Sequence, residues 1–239
     1  MNINKTKRLH DILYLKENRY KNPKENFKFV MKLIKQRINK NKNYKLLDIG
    51  CANGELLWNL NRQFKNLDLY GLDIRHDLIQ KAKKACKDIK FFRKNISKKK
   101  MKVGKFDIII ISGVLSCLDN PLTVIKNLKQ NLKSKGIVFL FDNFSDTHFN
   151  NYHQYQDIKK NKNILQSGYN MYSLEFLKKT FKKILKTKKL ETKQFNIKKS
   201  IKKNKKDLMR SWTITIGNKR YFTNGTGLIL KQFWLIAKT

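Results

Sequence analysis

Cysteine, proline, glycine and acidic residues are all scarce in this chain of 239 residues. The three cysteines, Cys51, Cys86 and Cys117, form no Cys-x-x-Cys pair. Neither a disulfide framework nor a zinc knuckle is supported, and the three read as reduced thiols in a cytoplasmic protein. Two prolines and ten glycines exclude collagen-like, Pro-rich and Gly/Ser-linker chains. Long apolar runs are missing as well. The longest, from Ile108 to Leu118, is interrupted by Ser and Gly and falls short of the ~20 residues that span a bilayer. The N-terminus is charged throughout and lacks the apolar segment of a signal peptide. Neither secretion nor a transmembrane segment is expected.

Acid is the most conspicuous shortage. Seventeen acidic residues stand against 55 basic ones, a formal net charge of +38. Such a surplus points to a polyanionic partner. It also follows from A/T-rich codons, which encode Lys, Asn and Ile. Only eight of the basic residues are Arg, the side chain whose planar fork grips phosphate and guanine, so codon drift is the favoured reading. The densest run, Lys178 to Lys206, carries 14 lysines and one acid, Glu191. It reads as a solvated helix face with an exposed strand and loop, or as a track for RNA phosphates or anionic lipid headgroups.

What is present suits a packed core: 40% hydrophobic residues, 11% aromatic. A stripe Phe27-Val30-Ile34-Ile38 predicts an amphipathic helix within a helical N-terminal flap over 1–43. From residue 44 strands and helices alternate. Strands are expected at 44–49, 67–74, 89–96, 106–111 and 136–141, with helices at 55–64, 77–86 and 121–132. The last helix is capped by Asn120 with Pro121 at its first position. This rhythm predicts an α/β fold with an open, doubly wound, mostly parallel sheet. Residues 144–173 are polar, rich in Asn, Tyr and His and aperiodic, as a substrate lid inserted in the domain 44–239 would be. Strands are expected again at 193–201, 211–216, 219–222 and 228–237, with Gly217-Asn218 as a hairpin turn.

The turn after the first strand reads Asp48-Ile-Gly-Cys-Ala-Asn-Gly54, at the edge of the sheet where ligands of open α/β folds bind. It lacks the Gly spacing of the dinucleotide fingerprint and the Gly-Lys-Ser/Thr of the phosphate loop, which disfavours a pyrophosphate ligand. Asp73 ends the second strand, where a carboxylate can accept both hydroxyls of a ribose. Taken singly, Asp48 could serve turn amides and Asp73 could be solvated. Their joint spacing in a βαβ frame argues for a site.

On these residues the sequence resembles the class I S-adenosylmethionine-dependent methyltransferases, in particular the small-molecule group. Leu46 to Gly54 matches their first motif apart from Ala52, which stands where the family has its middle Gly. The resemblance implies a seven-stranded Rossmann-like sheet with a C-terminal antiparallel hairpin, and S-adenosylmethionine as cofactor. It implies that Gly50 and Gly54 line the methionine moiety, that Asp73 grips the ribose hydroxyls, and that Asp48 and Cys51 belong to the same cofactor site. Asn95 stands where the family has an Asp on the adenine amine, Ile74 and Ile96 would sandwich the adenine, and Ser112 would face the methionine end and the substrate.

In-line methyl transfer requires positioning, and an alcohol nucleophile also requires a base. His148 is the expected catalytic residue, with His153 and the tyrosines at 152, 155, 169 and 172 nearby in sequence. Asp142-Asn143 resembles metal ligands of catechol-type enzymes, but Ser112-Gly113 replaces the carboxylate needed after strand four, so no metal is expected. The expectation is methylation of a hydroxyl, or other heteroatom, of a small molecule or sugar. The alternatives are an RNA methyltransferase or a non-catalytic basic RNA-binding protein on the same fold.

Overall fold

In the computed structural model, which describes residues 14–158 and 165–239, one mixed sheet organises the chain. Its strands are β1 (Tyr44–Ile49), β2 (Leu67–Asp73), β3 (Lys90–Arg93), β4 (Phe106–Ser112), β5 (Leu132–Ser145), β9 (Lys189–Gln194) and β12 (Gln232–Lys238), in the order β3-β2-β1-β4-β5-β12-β9. The first five run parallel, and β12 is antiparallel to both β5 and β9. The chain winds outward from β1 through β2 to β3, then returns to β4 on the other side of β1. That reversal opens a crevice at the carboxyl ends of β1 and β4.

The unbroken Ile108–Ile111 run has its explanation here. Ile108 and Ile110 join the core on one face, with α1 (Glu25–Lys35), α2 (Glu55–Gln63) and α3 (His76–Ala85). Ile109 and Ile111 join the core on the other, with α4 (Pro121–Asn131) and α5 (Leu174–Leu185). Each is at most 1% exposed, so each contributes about 1.5–3 kcal/mol of transfer free energy. Asn120 caps α4, its Oδ1 accepting from the Leu122 and Thr123 amides at 3.1 and 3.4 Å.

Boundaries differ from expectation where local polar contacts intervene. The third strand stops at Arg93 because Asn95 turns the chain, accepting from the Ser97 amide at 2.9 Å. The penultimate strand of the sheet is Lys189–Gln194 rather than 193–201. Beyond it the Phe195 amide makes a last bond to Gln232 O at 2.8 Å, and the Phe195 and Ile197 side chains turn into the core. The Gly217-Asn218 turn does close a hairpin, β10 (Trp212–Ile216) with β11 (Lys219–Thr223), which forms a sheet of its own. Within 144–173 lie a second small hairpin, β6 (Gln154–Gln156) with β7 (Leu165–Ser167), and the short strand β8 (Tyr172–Ser173), parallel to the end of β5. Residues 1–13 of the expected flap lie outside the described residues. No helix among the described residues is long and apolar enough to cross a membrane.

Candidate active site

A cavity of about 450 Å³ occupies the crevice. Gly50 turns the chain out of β1 with φ +76°, and a Cβ there would meet Val114 Cγ2 at 2.2 Å. The Gly50 and Cys51 amides both donate to Leu72 O, at 2.7 and 3.0 Å, tying the turn to β2. Gly54, φ +81°, opens α2 with its missing Cβ pointed at Phe91. Ala52 also lies in the left-handed region, φ 47°, where the family's Gly would be free of strain. Its amide donates to Asp73 Oδ2 at 2.9 Å, and the Arg75 amide donates to Asp73 Oδ1 at 2.9 Å. Both Asp73 oxygens are thus held in place by backbone donors at the mouth of the cavity.

Asp48 is 3% exposed, and no hydrogen bond reaches its carboxylate from the described residues. Burial, and then the Asp73 charge, push its pKa up from 3.8 to about 7. Burial likewise raises the Cys51 thiol, with Asp48 and Asp73 adding to it. Asn95 Oδ1 accepts from both the Ser97 amide and Ser97 Oγ, at 2.9 and 2.6 Å. Its two lone pairs are thus engaged, so the amide offers Nδ2, a donor, in place of the acceptor expected from sequence. Ile74 is 56% exposed at the cavity rim and Ile96 is buried beneath. Gly113, φ +68°, faces open space between Ser112 and Val114.

Eight of the nine residues assigned to the cofactor, Asp48, Gly50, Cys51, Asp73, Ile74, Asn95, Ile96 and Ser112, line this cavity. Gly54 does not: its open face packs against Phe91 and Ala82, and its neighbours Asn53 and Glu55 reach the lining instead. Nor does His148. It is exposed beyond the end of β5, its ring 3.8 Å from that of Phe149, and β8 and α5 direct that segment away from the crevice. Among the described residues of the 144–173 segment only Tyr169 reaches the lining, its hydroxyl donating to Met209 O. Tyr172 is buried against Leu118 O, and Tyr155 donates to Gln166 Oε1 at 3.1 Å.

Several functional positions escaped the sequence reading. Residues 14–20 run across the turn as a strap. Asn53 Nδ2 donates to Tyr14 O at 3.1 Å, and Glu55 Oε1 accepts from the Arg19 amide at 2.5 Å. Lys81 Nζ donates to Leu15 O and Glu17 O, each at 2.7 Å, and Tyr20 donates to Asn53 O at 2.8 Å. Tyr14, Lys24, Asn26 and Phe27 thereby join the cavity wall. The opposite wall has Asp142, Asn143, Ser211 and Gln232. Burial pushes the Asp142 carboxyl up, opposed by the Ser116 and Asn143 amides that donate to it at 2.9 Å each. The only signal for the strap was the polar pair flanking Gly54, which resembles ordinary helix-start chemistry.

A parallel sheet that reverses at β1/β4, a Gly-bearing turn and an acid closing β2 define the class I methyltransferase architecture. A family model described as a methyltransferase domain matches residues 40–205, and the chain belongs to that family. The malonyl-[acyl-carrier protein] O-methyltransferase of Bacillus cereus is 25% identical over 138 residues, 56% of this chain and 51% of that protein. The chain spans about half the length of the curated relatives it matches. Among solved structures, a SAM-dependent methyltransferase of Methanosarcina mazei has TM-score 0.56 at 15% identity, covering 87% of this chain and 96% of that one. A phosphoethanolamine N-methyltransferase of Haemonchus contortus, solved with phosphomonomethylethanolamine and S-adenosylhomocysteine, has TM-score 0.57 at 14% identity, covering 78% and 43%. At these identities the likeness is one of fold.

Proposed function

We propose that this protein binds S-adenosylmethionine in the crevice and methylates an oxygen of a small acidic molecule or acyl group. The observation that carries the cofactor half is the buried Asp48 carboxylate, to which no described residue donates, lining the cavity beside the Gly50 turn, where Val114 leaves no room for a Cβ. Such a carboxylate suits the ammonium of a methionine moiety, and the Asp73 carboxylate at the end of β2, fixed by two backbone amides, suits a ribose. Ile74 and Ile96 would enclose the adenine, with Asn95 Nδ2 donating to a ring nitrogen. When bound, S-adenosylmethionine supplies a methyl group on a sulfonium, which leaves by in-line displacement. The Ser112-Gly113-Val114 floor leaves room for the acceptor, and the protein's contribution there is alignment.

The acceptor is read from the lining. Among the described residues no histidine borders the cavity, so a hydroxyl would lack the usual base. A carboxylate oxygen is already anionic and needs none. The O-methyltransferase named above supports an oxygen acceptor on an acyl group. The test is twofold: calorimetry with S-adenosylhomocysteine, then radiolabelled methyl transfer to short dicarboxylates and their thioesters, to sugars and to RNA. Labelled methyl esters are the expected product. Label in sugar hydroxyls would replace the acceptor assignment, and label at a defined RNA position would make the Lys178–Lys206 track the substrate surface instead.

A further inference from the structure

The cavity wall contributed by the strap and α1 carries a cation that the cofactor contacts above do not use. Among the described residues two cationic side chains line the cavity, Lys24 and Arg75. Arg75 is spoken for, its Nε donating to Asp77 Oδ1 at 2.9 Å and its Nη2 paired with Oδ2 of the same carboxylate. Lys24 is placed differently. Its ammonium lies 4.9 Å from the Tyr14 ring centroid and 5.7 Å from that of Phe27, and both rings line the cavity. Two aromatic faces hold the charge in position without neutralising it.

Its carboxylate partner is shared. Glu17 is 2.8 Å from Lys24 Nζ and is also paired with Arg210, whose neighbour Ser211 lines the cavity. Two cations on one carboxylate leave the cluster with a surplus positive charge at the cavity wall. The position is also a poor one for a lysine on local grounds. Lys24 is the N-cap of α1 and makes no side-chain cap, where Ser, Asp or Asn would stabilise the helix by about 1 kcal/mol. A cation at a helix N-terminus is also unfavourable with respect to the helix dipole. A residue that violates the local preference and brings a cation to a cavity wall is the signature of a binding role.

We propose that Lys24 is the carboxylate anchor of this site, gripping the carboxylate of the bound amino-acid moiety or that of the acceptor. This rests on the cofactor reading above. Three ligands separate the sources: S-adenosylhomocysteine, 5′-methylthioadenosine, which lacks the amino-acid carboxylate, and malonate added to the protein saturated with S-adenosylhomocysteine. If the cofactor carboxylate is the partner, Lys24→Gln weakens S-adenosylhomocysteine by about tenfold or more and leaves methylthioadenosine unchanged. If the acceptor is the partner, only malonate weakens.

A merely structural lysine is distinguished by Glu17→Gln. Removing the competing carboxylate should tighten the carboxylate ligand several-fold if Lys24 is an anchor, whereas a loosened strap would weaken every ligand in both variants. Lys24→Arg should retain most of the affinity. Equal changes for methylthioadenosine and S-adenosylhomocysteine in Lys24→Gln overturn the proposal. So does an unchanged S-adenosylhomocysteine affinity with malonate unaffected or unbound in both proteins. Failure of the intact protein to bind any adenosine ligand would instead refute the cofactor reading.

Discussion

The two walls of the cavity were assembled in different ways. The wall built by β1, β2, β3 and their turns takes Asp48, Gly50, Asp73 and Asn95 from about fifty consecutive residues. The facing wall takes Tyr14 and Lys24 from the strap, Asp142 and Asn143 from the end of β5, Tyr169 from the segment after it, and Ser211 and Gln232 from near the C-terminus. The first wall is a product of strand-end geometry repeated in neighbouring βα units. The second exists only once distant segments pack together. Chemistry common to a fold resides in the first, and acceptor choice is left to the second.

Breaking the first wall should have the largest effect. Asp73→Ala removes two charged acceptors for ribose hydroxyls and should weaken S-adenosylhomocysteine by about 3–5 kcal/mol in calorimetry. An unchanged affinity would move the ribose elsewhere. Asn127→Ala tests the support beneath it. The Asn127 amide donates to Ile96 O and Lys98 O at 2.6 and 2.8 Å, and its oxygen accepts from the Met101 amide at 3.1 Å. Losing these buried bonds should cost about 2–3 kcal/mol of stability in urea denaturation, and should loosen the loop bearing Asn95 and Ile96.

The Asp48 carboxyl gives a pH test. Because its folded pKa, about 7, lies above the ordinary value of 3.8, the folded state holds a proton there that the unfolded chain has lost. Its contribution to stability therefore falls as pH rises from about 4 to about 7. A cationic ligand reverses the preference, so S-adenosylmethionine should bind more tightly at about pH 8 than at about pH 6, with proton release detectable in buffers of different ionisation enthalpy. Asp48→Asn should abolish the proton release and make the apo protein more resistant to denaturation at the higher pH. The smallest effect is expected at Ala52. Ala52→Gly relieves a left-handed alanine at the expense of unfolded-chain entropy, for a net gain of about 0.5 kcal/mol in thermal denaturation.

The same contrast separates what could be read beforehand from what could not. Asp48, Gly50 and Asp73 were legible because a strand end, a positive φ and an acid closing the next strand recur at fixed intervals along a βαβ unit. Asn95 was legible as a position and misjudged as an acceptor. Its oxygen is taken by Ser97, a local turn that spacing does not reveal. His148 was chosen because its segment follows β5 and carries the right side-chain types. The pairing of β8 with the end of β5 and the packing of Tyr172 send that segment along the sheet surface, and His148 stays in solvent. The strap gave no warning at all, since its hydrogen bonds use backbone carbonyls of Tyr14, Leu15 and Glu17, which carry no sequence signature.

By itself, the chain's order of apolar runs, turns and acids determined an open parallel sheet with a ligand crevice at the end of β1. Those features depend on interactions between residues close in sequence and on a hydrophobic pattern that only one layering can bury. The tertiary structure alone decided what closes the crevice: a strap latched by Asn53, Glu55 and Lys81, and Lys24 held between two rings with half a claim on Glu17. Such contacts join residues as far apart as Glu17 and Arg210. Their geometry follows from the packing of whole elements, which no local spacing encodes.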